Sequence, residues 1–124
     1  MKLDHFTLKP SDLEATKSFF TGVIGLEVGE RPPFKFPGYW LYGGGKPIVH
    51  LVGGDEAVDA ATGAIDHLAF HSTNKLALMA RLTGSGYEYS ERTVPASGMQ
   101  QVFIEGPDGL KIEVNFPPEP AGIY

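Results

Sequence analysis

The 124-residue sequence has no cysteine, one tryptophan and few basic residues. The lack of cysteine excludes a disulfide scaffold, any cysteine-based zinc or iron–sulfur site and a thiol nucleophile. Ten Lys and Arg stand against fifteen Asp and Glu, a formal net charge of −5. That balance argues against a nucleic-acid partner, because such binders draw their affinity from neutralising phosphates. No apolar run approaches the ~20 residues of a membrane-spanning helix, so no membrane partner is expected. Met1-Lys2-Leu3-Asp4-His5 lacks the apolar stretch of a signal peptide, so a cytoplasmic location is expected.

Turn formers are abundant. Sixteen Gly and ten Pro make up about a fifth of the chain, against an average near 12%. The length suits one domain, and the turns imply several short strands rather than a helix bundle. Leu3 to Leu8 alternates as a strand does. Ser11-Asp12-Leu13-Glu14 has capping-box spacing, with Ser11 at the N-cap. Leu13, Thr16, Phe20 and Ile24 then recur at helical intervals, predicting a helix over 12–21 stopped by Gly22 and Gly25. Glu27-Val28, residues 39–42 and residues 48–52 read as strands, which makes β-α-β-β-β.

The chain then repeats itself. Leu3-Asp4-His5-Phe6 returns as Ile65-Asp66-His67-Leu68, 62 residues later, and Thr21-Gly22 returns as Thr83-Gly84. The second copy predicts a strand over 65–71, a helix over 74–83 and strands near 87–92, 100–104 and 111–116. Gly106-Pro107-Asp108-Gly109 stands where Gly44-Gly45-Lys46-Pro47 stood. The expected organisation is a single α+β domain, 1–124. Module one is 1–52, an acidic linker is 53–64, module two is 65–116 and a C-terminal tail is 117–124.

The repeat aligns four polar side chains. His5 and His67 share a slot in the first strand of each copy, and His50 and Glu113 share a slot in the last. Strand side chains alternate faces, so His5 goes with Leu3 and Thr7, His50 with Ile48 and Val52, and Glu113 with Lys111 and Asn115. If the modules pair with pseudo-twofold symmetry, three imidazoles and one carboxylate converge. That set suits a divalent transition metal (Fe, Ni, Mn, Co or Zn) over Ca or Mg. His71 lies about 13 Å along the strand from His67 and reads as a pocket or rim residue.

Other features point elsewhere. Gly43-Gly44-Gly45-Lys46 lacks phosphate-loop spacing and reads as a hairpin turn. Tyr39, Trp40 and Tyr42 fit either a core or a pocket wall. Phe34, Phe36 and Pro37, within RPPFKFPG, suit a lid or a dimer contact.

The opening Leu-Asp-His-Phe, the helix running into Phe19-Phe20 and Gly25-Leu26-Glu27-Val28, and the closing stretch from Gly106 to Phe116 resemble the vicinal oxygen chelate superfamily. This is the glyoxalase I / bleomycin resistance / extradiol dioxygenase group, and the resemblance covers residues 2–116. It implies two βαβββ modules forming a cupped mixed sheet around a metal site, with small substrates bound through adjacent oxygens. The family's ligand positions map onto His5, His50, His67 and Glu113. Extradiol dioxygenases hold Fe(II) with two His and a carboxylate, here His5, His67 and Glu113, and Gln101-Val102-Phe103-Ile104 also resembles them. They usually carry a Tyr where this chain has Phe103, so Tyr39, Tyr42 and His71 are the candidates for proton transfer. Glyoxalase I has a carboxylate at the position of His50.

The expectation placed first is an extradiol-type dioxygenase using Fe(II). A glyoxalase-like isomerase, lyase or epimerase using Ni, Zn, Mn or Co follows. A non-catalytic small-molecule binding (resistance) protein is the alternative of another class. A homodimer is expected, because open βαβββ sheets leave edges that need cover.

Overall fold

The computed structural model describes residues 3–54 and 65–119. Most of the expected linker, 55–64, and the end of the expected tail, 120–124, lie outside the described residues. The chain divides into two compact units, 1–60 and 61–124. Each unit holds one four-stranded mixed sheet with a helix between its first two strands, so the two βαβββ modules are present. Among the described residues no helix is long and apolar enough to cross a membrane.

In the first unit the strands are β1 (Phe6–Leu8), β2 (Glu27–Gly29), β3 (Gly38–Gly43) and β4 (Lys46–Val52), ordered β1-β4-β3-β2. β1 runs parallel to β4, and the other pairings are antiparallel. Helix α1 (Leu13–Phe19) packs on β3 and β4. Leu41, Val49 and Leu51 are buried, together with Phe19, Phe20 and Val23. Burying side chains of this size contributes roughly 1.5–3 kcal/mol each. Period-two alternation then sends Trp40 and His50 to the opposite face of the sheet.

The start and end of α1 differ from expectation. Asp12, not Ser11, is the N-cap, its carboxylate accepting from the Ala15 amide at 3.0 Å. Aspartate caps at least as well as serine, and Glu14 is engaged elsewhere, on Lys17 and on the Tyr39 hydroxyl. The helix also passes Gly22. A π-helical turn, Phe20–Ile24, carries the backbone on, and the Gly25 and Leu26 amides both donate to the Phe20 carbonyl at 2.9 Å. The stop is Gly25, whose φ of 93° is left-handed backbone that glycine adopts without strain.

The second unit repeats the plan with β5 (Leu68–His71), α2 (Lys75–Leu82), β6 (Tyr89–Thr93), β7 (Gln100–Glu105) and β8 (Lys111–Phe116), in sheet order β5-β8-β7-β6. Asn74 caps α2 by accepting from the Ala77 amide at 3.0 Å. Val102, Ile104, Ile112, Val114 and Phe116 are buried on one face. Gln101, Phe103, Glu113 and Asn115 alternate onto the other.

The two final hairpins turn differently. Between β3 and β4 only Gly44 and Gly45 intervene, both at positive φ, as a two-residue primed turn requires. This confirms a hairpin where a phosphate loop was the competing reading. Between β7 and β8 five residues intervene, closed by the Gly106 amide on the Leu110 carbonyl at 2.7 Å.

Candidate metal centre

The first unit brings two histidines together. Strand pairing begins at Phe6, opposite Val49, so His5 precedes β1 instead of lying within it. Its Nδ1 donates to the Asp4 carboxylate at 2.5 Å. The hydrogen bond from His5 holds the Asp4 carboxyl below its usual range. With the proton on Nδ1, the His5 lone pair sits on Nε2.

His50 lies mid-strand in β4, between Thr7 of β1 and Trp40 of β3 in the pairing register. Its ring stacks on both sides. The His5 ring is 3.9 Å away by centroid and 14° from parallel, and the Trp40 ring is 4.1 Å away and 12° from parallel. Its Nε2 donates to the Pro47 carbonyl at 3.0 Å, which leaves the lone pair on Nδ1. Burial and then the nearby His5 push the His50 pKa down, against the opposing effects of the Pro47 bond and Asp4. The neutral imidazole a metal needs is therefore the favoured form.

The second unit builds a matching pair. His67, one residue before β5, donates from Nδ1 to the Asp66 carboxylate at 2.8 Å. That bond is the main cause of a lowered Asp66 pKa. His67 Nε2 lies 3.7 Å from Glu113 Oε1. The Glu113 side chain is only 14% exposed, and its other oxygen, Oε2, accepts from Asn115 Nδ2 at 2.7 Å. Gln101 Nε2 in turn donates to Asn115 Oδ1 at 3.1 Å. Ala69 and Phe103 flank Glu113 in the register.

The donor chemistry fits a divalent transition metal. Two ligands at 2.0–2.2 Å from one ion lie at most about 4.4 Å apart, and the His67–Glu113 separation is within that span. His5 and His67, which each precede a first strand, are also held by their neighbouring carboxylates, a support typical of metal-bound imidazole. Each unit supplies a pair, and among the described residues no group of three or more candidate ligands is assembled.

Two of the proton-transfer candidates are hydrogen-bonded to groups outside these pairs. The Tyr39 hydroxyl donates to Glu14 of α1, because Tyr39 alternates to the helix-bearing face while Trp40 takes the other. The Tyr42 hydroxyl donates to the Glu30 carbonyl at 2.6 Å. His71 is exposed at the end of β5, opposite Asn115. Phe34 and Phe36 stack on one another, 5.0 Å between centroids, with the Arg31 guanidinium over both rings. A surface hollow of about 360 Å³, lined by Glu30, Arg31, Pro32, Trp40 and Tyr42, adjoins the ring that covers His50. A separate hollow of about 540 Å³ at the β2–β3 edge contains none of the histidines.

Asp4, Asp66 and Gln101 were not singled out from the sequence. The repeated Asp-His dipeptide was the available signal for the first two. Gln101 carried none, because its partner is set by strand register.

Residues 2–114 match the family model described as Glyoxalase/Bleomycin resistance protein/Dioxygenase superfamily. A lactoylglutathione lyase of Salmonella typhimurium is 27% identical, over 92% of this chain and 91% of its own length. Among solved structures, a mutant of the fosfomycin resistance protein FosX from Listeria monocytogenes, complexed with Mn(II) and dihydroxypropylphosphonic acid, is similar with a TM-score of 0.66. It is 19% identical, covering 91% of this chain and 90% of that one. TnmS3, an antibiotic binding protein from a Streptomyces species, has a TM-score of 0.68 and 22% identity, covering 94% of this chain and 96% of that one. At these identities the two structures show the shared fold.

Proposed function

Since the chain belongs to the glyoxalase/bleomycin resistance protein/dioxygenase superfamily, we propose that it is a divalent-metal-dependent lyase or isomerase acting on a small substrate through two adjacent oxygens. His5 and His50 from one unit, with His67 and Glu113 from the other, are the proposed ligands, contributed by one chain or by two copies. A transition metal bound by them supplies Lewis acidity to a substrate carbonyl and its neighbouring hydroxyl. The observation that carries this reading is the His67–Glu113 pair with Phe103 directly opposite Glu113.

Phe103 has no proton to give or take. The carboxylate beside it does that work. Glu113 Oε2 is fastened to Asn115, whereas Oε1 faces His67. Oε1 is the oxygen that would face a bound metal, and it is the proposed base once the substrate's own oxygens take its place there, taking a proton from the carbon that bears the substrate hydroxyl and returning it to the neighbouring carbon. The 27%-identical lactoylglutathione lyase supports this class.

The extradiol dioxygenase placed first on sequence grounds is the second reading. It is favoured by the donor set, since three neutral imidazoles and one carboxylate leave Fe(II) a net positive charge toward a dianionic catecholate. A non-catalytic binding protein is the reading of another class, in keeping with the fold of the antibiotic-binding neighbour.

One experiment separates the three. Metal-stripped protein is reloaded with Ni(II), Zn(II) or Mn(II) and given the hemithioacetal of an α-ketoaldehyde. Anaerobic Fe(II)-loaded protein is given a panel of catechols, and oxygen uptake is followed. Turnover of the hemithioacetal without oxygen uptake is expected. Oxygen uptake with ring cleavage would replace the lyase reading with the dioxygenase. Protein that binds no metal at all would leave only the binding role.

A further inference from the structure

We propose that Asn115, itself oriented by Gln101, is a positioning residue that fixes which oxygen of Glu113 is offered to a cation; this rests on the ligand role given to Glu113 above. Glu113 and Asn115 are two apart on β8 and share a face. Asn115 Nδ2 reaches Glu113 Oε2 at 2.7 Å, a short, charge-assisted contact. A carboxylate has two equivalent oxygens. Tying one to an amide ends that equivalence and leaves Oε1 toward His67 Nε2.

An amide has two ends, and one of them would repel a carboxylate. Rotating Asn115 by half a turn would point Oδ1 at Glu113. The acceptor-only carboxylate of Glu113 disfavours this, and Gln101 adds to the preference by donating to Oδ1 at 3.1 Å from directly across the sheet. The order of donors is therefore fixed: Gln101 to Asn115, and Asn115 to Glu113. Donation continues on the far side, where Asp66 holds the His67 ring by Nδ1.

The duplication provides an internal comparison. The slot of Glu113 is filled by His50 in the first unit, and the slot of Asn115 by Val52. Gly38 pairs with Val52 where Gln101 pairs with Asn115. Neither Val52 nor Gly38 has a side-chain donor. His50 is held instead by the Pro47 carbonyl and the stacked rings. The amide pair thus accompanies the carboxylate and is missing where the slot holds an imidazole.

The test is Zn(II) affinity, measured by competition with a chromophoric chelator, beside thermal melting of the metal-free protein. Asn115→Leu is expected to lower affinity by about 10- to 100-fold, the range for loss of a ligand's hydrogen-bond partner, with the metal-free melt unchanged. Gln101→Leu is expected to lower it by a smaller factor, about 3- to 10-fold. Asn115→Gln, which keeps an amide donor, is expected to recover affinity to within about threefold of the parent. Parent-like affinity in Asn115→Leu, alongside loss of zinc in Glu113→Ala, would overturn the positioning role and leave the ligand role standing. Parent-like affinity in Glu113→Ala would overturn the ligand role and this proposal with it. If Asn115→Leu does not fold, Gln101→Leu decides, because its side chain touches Asn115 and not Glu113; unchanged affinity there overturns the proposal.

Discussion

Trp40 lies flat on His50, with ring centroids 4.1 Å apart and planes 12° from parallel. It is the only tryptophan in the sequence. Its emission therefore reports on one proposed ligand. Adding Co(II) or Ni(II) to metal-free protein is expected to quench that emission at one equivalent per site. His50→Ala should abolish the quenching. Emission that stays constant while calorimetry records stoichiometric binding would remove His50 from the ligand set.

Loss of a proposed ligand from the second unit has its own readout. Glu113→Ala removes a charge as well as a donor, so purified protein should carry close to no metal. His67→Ala should behave alike, since it removes the imidazole 3.7 Å from that carboxylate. Full metal content in both variants would rule the site out.

The Tyr39–Glu14 contact makes stability depend on pH. The hydrogen bond from Tyr39, followed by that from Lys17, lowers the Glu14 pKa, and the same contact raises that of Tyr39. For Glu14 the folded value lies below the unfolded one. Its contribution is present above the ordinary glutamate range and is lost as pH falls through the folded value. For Tyr39 the sign reverses: its contribution is present below the ordinary phenol range and is lost as pH rises through the raised folded value. Tyr39→Phe should return the Glu14 titration, followed by carboxyl ¹³C NMR, toward ordinary glutamate. An unshifted titration would count against the contact.

Thr16 is fully buried in α1, and among the described residues its hydroxyl has no hydrogen-bond partner. An unpaired buried hydroxyl carries a desolvation cost of about 1–3 kcal/mol. Thr16→Val removes the hydroxyl and nearly keeps the shape. The variant is expected to be as stable as the parent or more stable by about 1 kcal/mol, read by urea denaturation. A loss of more than about 1 kcal/mol would mean that the hydroxyl has a partner in solution.

Self-association is expected from the sheet edges. β6 is an edge strand exposed along its whole length, and β2 is the exposed edge of the other sheet. Unpaired edges are ready to pair with another chain. Light scattering should give twice the chain mass at micromolar concentration. A monomer throughout would refute the dimer and require both ligand pairs to come from one chain.

The repeat and the strand alternation were legible in the sequence because both are periodic. Backbone geometry alone puts residues two apart on one face of a strand. A duplicated module carries its pattern at a nearly constant offset, 62 residues from His5 to His67 and 63 from His50 to Glu113, so both pairs were found without coordinates. The Asp12 cap and the π turn were not. Ser11 and Asp12 are both good caps, and only the competing partners of Glu14, Tyr39 and Lys17, decide between them.

What lies beside each proposed ligand was decided by the folded structure. Trp40 against His50, Phe103 against Glu113 and Gln101 against Asn115 are matters of strand register. Register in these two hairpins is set by the turn and by how the neighbouring strands pair, and a slip of one residue would exchange the faces. The sequence determined which side chains have metal chemistry and that they recur in pairs. The folded sheets decided which nitrogen of each imidazole keeps its lone pair, and which oxygen of Glu113 stays free. Those choices belong to hydrogen-bond partners near in the chain, Asp4, Pro47, Asp66 and Asn115, which the folded backbone aims at the rings and the carboxylate, and to Gln101, which reaches Asn115 from the neighbouring strand.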